Sequence, residues 1–221
     1  MRAAPFRACL PAFALSVIGV LAAMPAPTAA AERMEEVYHK CIYPDLAQLD
    51  TVIRACTTVI KSGEGGHAAQ SSAHLSRGNM YRRKAQYDRA LDDYDEALRL
   101  DPTERAPILT SRGNAWRGKH QYDRAIADHS EAICLDPDYS IAYSNRGNVW
   151  SDKGEWDKAI ADYDKAIALN PKYADAFYNR GIAWEAKKDR ARALADYRAA
   201  AALRPDFTRA LDSIKELEAN K

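Results

Sequence analysis

Neither sign of charge prevails in this chain: 32 basic residues stand against 31 acidic ones, a net charge of +1 over 221 residues. A protein that grips a nucleic-acid backbone needs a basic excess, so no nucleic-acid partner is expected. Motifs of catalysis are missing too: there is no glycine-rich phosphate loop, no nucleophile elbow and no paired-cysteine zinc pattern. Histidines 39, 67, 74, 120 and 129 share no metal-ligand spacing, so neither metal nor other cofactor is expected, and no catalytic residue. Cysteine is scarce, with four in the chain. A long apolar run occurs only near the start, from Ala8 to Met24, and it is short for a spanning helix.

That run has a recognisable setting. Arg2 and Arg7 precede or border it, and PAPTAAAE follows. A basic start, an apolar core and small residues at the cleavage site read as a secretory signal peptide over 1–31, cut after Ala30 or Ala31. The expected destination is the periplasm or the exterior, with no membrane insertion after cleavage; the alternative is an uncleaved anchor. Removal leaves 30 basic against 31 acidic residues.

The rest of the chain repeats. Glycines 78, 113, 147 and 181 are 35, 34 and 34 residues apart. Alanines 90, 125, 159 and 193 and prolines 102, 137, 171 and 205 follow each glycine at constant offsets. With the glycine counted as the eighth slot, the units are 71–104, 106–139, 140–173 and 174–207, Arg105 being an extra residue. In the third unit Tyr143, Gly147 and Trp150, then Trp156, Ala159, Ile160, Tyr163, Ala166 and Ile167, recur at helical spacing. The pattern predicts two amphipathic helices joined by DKGEWD, where Gly154 is free to take positive φ. Small residues at the glycine and alanine slots let paired helices approach closely. Each proline stops the second helix.

This pattern resembles the tetratricopeptide repeat (TPR). Its run of aromatic, glycine, aromatic, alanine, aromatic, alanine and proline is met by Tyr143, Gly147, Trp150, Ala159, Tyr163, Ala166 and Pro171. The fourth unit meets it with Phe177, Gly181, Trp184, Ala193, Tyr197, Ala200 and Pro205. His74, Leu109 and His129 are departures, and arginine replaces the family's leucine before each glycine. The resemblance implies an all-α, right-handed helical solenoid of antiparallel helix pairs. It also implies a concave groove lined by first helices, in which an unidentified protein or peptide lies.

Carried onto this sequence, the groove is lined by Ser72, Leu75, Asn79, Arg82 and Arg83, then Thr110, Asn114 and Arg117. Ser144, Asn148, Asp152, Asp175, Tyr178 and Glu185 complete it. Asn79, Asn114 and Asn148 share one slot, and such an amide ladder, facing solvent, suits an extended peptide backbone. The fourth unit breaks it with Ile182. A chaperone-type carboxylate clamp would need lysine where Leu75 stands. Arg82, Arg83 and Arg117 are expected near one end of the groove, and Asp152, Asp175 and Glu185 near the other.

Two other series are periodic. Trp116, Trp150 and Trp184 are expected to pack in the core. Arg77, Arg112, Arg146 and Arg180 match Asp93, Asp128, Asp162 and Asp196, and the expected ion pairs join each Asp to the arginine of the following repeat. They would set the register between repeats.

Residues 32–62 read as a degenerate helical hairpin aligned through Ile53/Ile160 and Cys56/Tyr163. That register faces Cys41 toward Cys56, and in an exported chain the two are expected to form a disulfide; two reduced thiols are the alternative. Cys134 is then left over, a tolerated small residue or an intermolecular partner. Residues 63–70 are expected to form a flexible glycine-rich linker, and 208–221 a capping helix with Ala210, Leu211, Ile214 and Leu217 on one face. The function expected is a non-enzymatic interaction scaffold. Rival readings are a self-associating envelope protein of unsettled oligomeric state, or a ligand-binding protein or enzyme using the Trp and His positions.

Overall fold

The structure, a computed structural model, describes residues 29–101 and 103–219. Most of the expected signal peptide, and Pro102, lie outside the described residues. Within them the chain is all helical. An N-terminal hairpin is made of α1 (Ala29–Ile42) and α2 (Leu49–Ser62). Four more hairpins follow: α3 (Gly66–Arg83) with α4 (Tyr87–Leu100), α5 (Arg105–Gly118) with α6 (Tyr122–Leu135), α7 (Ser140–Asp152) with α8 (Trp156–Leu169), and α9 (Ala174–Ala186) with α10 (Arg190–Leu203). The last helix is α11 (Thr208–Ala219).

Local chemistry sets the boundaries. The second helices end before Asp101, Asp136, Asn170 and Arg204, whose φ angles of −129°, −135°, −135° and −139° are extended. Asp136, Asn170 and Arg204 each precede a proline, whose ring clashes with a helical residue before it. The turn inside each hairpin is closed by a backbone bond of 2.9 Å: Gln86 to Tyr81, Gln121 to Trp116, Glu155 to Trp150 and Asp189 to Trp184. Gly154 takes φ 74° there, and Ala85, His120 and Lys188 adopt 54°, 59° and 63° at the same place. The turn therefore imposes the left-handed geometry even where no glycine relieves it.

Inside a hairpin the glycine slot faces the ring of the second helix. A Cβ on Gly78, Gly147 or Gly181 would come within 2.8, 2.8 or 2.6 Å of the Tyr94, Tyr163 or Tyr197 ring. Those tyrosines are fully buried. Trp116, Trp150 and Trp184 are half-buried and pack against this core. A cation caps each: Arg124 at 4.7 Å, Lys158 at 4.6 Å and Arg192 at 3.7 Å from the respective ring.

The Arg–Asp series pairs differently from the expectation. Each arginine grips the aspartate of its own repeat through two nitrogens: Arg77–Asp93, Arg112–Asp128, Arg146–Asp162 and Arg180–Asp196, all at 2.7–2.9 Å. The remaining nitrogen reaches back to the preceding unit, to Thr57, Asp95, Ser130 and Asp164 respectively. The antiparallel hairpin brings the two series face to face at the helix-pair interface, so the bidentate bond closes locally. Register between repeats is carried by that third nitrogen. A second ladder joins each inner turn to the preceding unit: Lys84–Asp50, Lys119–Asp88, Lys153–Asp123 and Lys187–Asp157.

Thr57 and Asp50 fall where the alignment through Ile53/Ile160 places them, so the N-terminal hairpin stacks in register as a fifth unit. The Cys41 and Cys56 sulfurs, 2.14 Å apart, occupy the slots of Asn148 and Tyr163. Pro44 follows the early end of α1. The expected linker is shorter than 63–70. Three residues, 63–65, separate the helices, because α3 begins at Gly66. Gly63, Gly65 and Gly66 take φ of 68°, 82° and 70°, the freedom that tight reversal needs. At the other end α11 buries Ala210 and Leu217 and leaves Leu211 exposed. Cys134 is exposed but is not a free thiol, contrary to the expectation that it is left over.

Candidate functional site

Successive first helices touch one another (α1 with α3, α3 with α5, α5 with α7, α7 with α9), whereas successive second helices make no comparable contact among the described residues. The first helices therefore line the inner face of the stack and the second helices splay on the outer one. On the inner face Arg82, Tyr87, Asn114, Arg117, Asn145 and Asp152 converge on a cleft of about 530 Å³. Four of them, Arg82, Asn114, Arg117 and Asp152, were expected in the groove. Tyr87 and Asn145 were not: Tyr87 reads as the start of a second helix, and it enters because its ring lies against Gly118. Asn145 recurs with Asn179 three residues before the asparagine slot, a periodic signal the sequence did hold.

The asparagine ladder is not free for a ligand along its whole length. Asn79 accepts from the Tyr94 hydroxyl at 2.9 Å, and Asn148 from Tyr163 at 2.8 Å and Asn179 at 2.9 Å. All three asparagines are half-buried, so the expectation that they face solvent is corrected: the slot opposite holds a buried tyrosine whose hydroxyl needs an acceptor. Asn114 is the exception, because its opposite residue is His129, which has no hydroxyl. In the fourth repeat, where Ile182 breaks the ladder, Tyr197 donates to Glu185 instead, at 2.7 Å.

His129 is 0% exposed, and both ring nitrogens lack a partner. Burial, with Arg146 and Arg117 nearby, pushes its pKa down to about 3. The imidazole is neutral at physiological pH and fills a core position.

The expected division of charge along the groove is only partly realised. Arg117 and Asp152 bond each other in two places, at 2.6 and 3.0 Å, so they neutralise one another mid-groove. Asp175 pairs with Arg204 at 2.8 Å. Arg83 is exposed at the end of α3, while Arg82 is half-buried with an unpartnered Nε and no carboxylate within salt-bridge reach. Thr110 and Ser144 are buried, and Leu75 packs into the core, so that slot turns inward rather than to the groove. Tyr178 is taken up by the junction with α11, its ring 4.9 Å from Phe207 and 5.4 Å from Tyr197. Ser72 is half-buried on α3.

Among the described residues no cluster of His, Cys, Asp and Glu could hold a metal ion, and no helix is long and apolar enough to cross a membrane.

Comparison with known proteins agrees with this architecture. A TPR repeat model matches residues 151–188, and a tetratricopeptide repeat model matches 71–104. No curated protein matches by sequence. Among solved structures, MamA is 27% identical with a TM-score of 0.59, over 74% of this chain and 92% of that one. The first TPR of Spaghetti (RPAP3), bound to the HSP90 peptide SRMEEVD, is 25% identical with a TM-score of 0.52, over 53% of this chain and 94% of that one. TTC0263, a thermophilic TPR protein in Thermus thermophilus, has a TM-score of 0.67 over 85% and 96% of the two chains; at 17% identity it speaks to the fold alone. With its recurring glycines against second-helix rings and its helix pairs in one stack, the chain carries tetratricopeptide repeats.

Proposed function

We propose that this protein is an exported, non-catalytic scaffold that holds an extended segment of another protein along its inner face, anchored in the cleft of the second repeat. The observation that carries the reading is the convergence there of Asn114, which no tyrosine hydroxyl engages, with Asn145 and an Arg82 that has no carboxylate partner. Amides both donate and accept, so they fit a peptide backbone, and a guanidinium fits its carbonyl or acidic groups. The peptide-bound Spaghetti (RPAP3) TPR is a precedent for peptide binding on this fold. Export rests on Arg2, Arg7, the apolar run and the small residues before Glu32. An oxidising destination agrees with the Cys41 and Cys56 sulfurs lying at disulfide distance.

The test is a random peptide library displayed against the protein, followed by titration of the enriched peptide. Asn114→Ala combined with Arg82→Gln is expected to weaken binding about tenfold or more, from the loss of one neutral and one charged hydrogen bond. The melting transition should stay in place. Equal affinity in the variant would place the site elsewhere.

A further inference from the structure

The outer face carries a second groove, between α2 of the N-terminal hairpin and α4 of the first repeat. Arg77 and Tyr81 of α3 line it as well, and its volume is about 630 Å³. Its charge differs from that of the third repeat. α4 and α8 bring Asp95 and Asp164 to the arginine of the next unit, whereas α6 brings Ser130 and α2 brings Thr57. Where α8 carries Ala161 and Ala168, α2 carries Arg54 and Lys61, and both line the groove. Arg89 of α4 completes the set, its guanidinium 4.0 Å from the Tyr81 ring and donating to the Tyr81 hydroxyl at 2.7 Å.

None of Arg54, Lys61 and Arg89 has a carboxylate within salt-bridge reach among the described residues. Of the two acids lining the groove, Asp93 is closed by Arg77 and His74, which leaves Asp92 against three cations. In a chain whose charges otherwise balance and form ladders, this is a local cationic excess. Like charges brought to one groove repel until a counter-charge arrives, and a fixed counter-charge on a partner supplies both attraction and orientation.

We propose that this outer groove is a second interaction surface, which receives the carboxylates of an acidic segment of a partner protein. It is independent of the inner-face reading, since it lies on the opposite side of the stack and shares no lining residue with the inner cleft, although α3 and α4 contribute to both. A scaffold with both would hold two proteins at once.

The test is an amide NMR titration of the full chain with an acetylated, amidated Ser-Glu repeat hexapeptide, its Ser-Gln counterpart and inorganic phosphate, at matched ionic strength. The Ser-Glu peptide is expected to give saturable shifts confined to α2, α4 and the adjoining part of α3, weakening as salt is raised. The Ser-Gln peptide should give none. Arg54→Glu with Lys61→Glu, both exposed positions, should weaken binding about tenfold or more; Arg54→Gln with Lys61→Gln, which avoids charge reversal, should do so in the same direction. No saturable binding, equal binding of the Ser-Gln peptide, or wild-type affinity in a folded variant would overturn the proposal. Phosphate binding as tightly at the same residues would overturn the assignment to an acidic segment. None of these results touches the inner groove, which the library peptide tests separately.

Discussion

His129 stands where the other repeats place Tyr94, Tyr163 and Tyr197, and the exchange has two consequences. It releases Asn114 from the hydroxyl that engages Asn79 and Asn148. It also buries an imidazole whose nitrogens are unpartnered. The folded pKa of about 3 lies below the unfolded value near 6.5, so the folded state favours the neutral ring. Above pH 6.5 both states are neutral and stability is complete; as pH falls toward 3 only the unfolded chain gains the proton, and stability is lost. Denaturant melts between pH 7 and 4 are expected to show a steeper loss in the wild type than in His129→Tyr. The same variant should be more stable at pH 7, because its hydroxyl finds Asn114 as the other tyrosines find theirs. Identical pH profiles would contradict the burial argument. Asn79→Ala, by contrast, leaves the Tyr94 hydroxyl without its acceptor and should cost about 1–3 kcal/mol in a chemical melt. This is the scale at which the sequence was hardest to read. The asparagines were visible as a ladder, but their tyrosine partners lie 15 residues on, and side-chain bonds across a hairpin leave no periodic mark of their own.

Between helices, the two ladders do the joining. Arg146 bonds Asp162 twice in its own repeat and Ser130 in the one before. Arg146→Ala would strand a buried Asp162 carboxylate and is expected to cost on the order of 3 kcal/mol; replacing Ser130 by Ala should cost about 1 kcal/mol or less. Comparing the two by urea melts separates hairpin closure from stacking. Trp150→Ala removes a ring packed on Ala159, Ile160 and Tyr163 and capped by Lys158, and about 3 kcal/mol should be lost. A shift of only a few tenths would mean that the ring is a binding platform. In the N-terminal unit, Cys41 and Cys56 take the slots where the first and third repeats use Asn and Tyr, so a pair of sulfurs at disulfide distance replaces a hydrogen bond. Joint replacement by serine should cost about 3 kcal/mol for this 15-residue separation, concentrated in α1 and α2 by hydrogen exchange. Helix positions, turns and stops were legible because glycine, alanine and proline act locally. The ladder partners are not legible in this way, since Asp128 lies 16 residues after Arg112 and 18 before Arg146, and only the packing of the helices decides between them.

At the scale of the molecule, the five helical hairpins and the capping helix of the described residues present an inner face built from α1, α3, α5, α7 and α9 and an outer face built from their partners. The stack is legible from a 34-residue period, and so are Arg82, Asn114, Arg117 and Asp152 of the inner cleft; the release of Asn114 and the outer groove are not, because they arise where repeats differ rather than where they agree. His129 departs from tyrosine, and Thr57, Arg54 and Lys61 depart from the Asp164, Ala161 and Ala168 of the third repeat. The central claim is that the inner face binds an extended segment of another protein. Its most direct test is a map of backbone amide shifts as the library-selected peptide is titrated into the labelled protein. The account predicts saturable shifts along α3, α5 and α7, greatest around Asn114, Arg82 and Asn145. Shifts confined to α4, α6 and α8, with the inner helices silent, would contradict it.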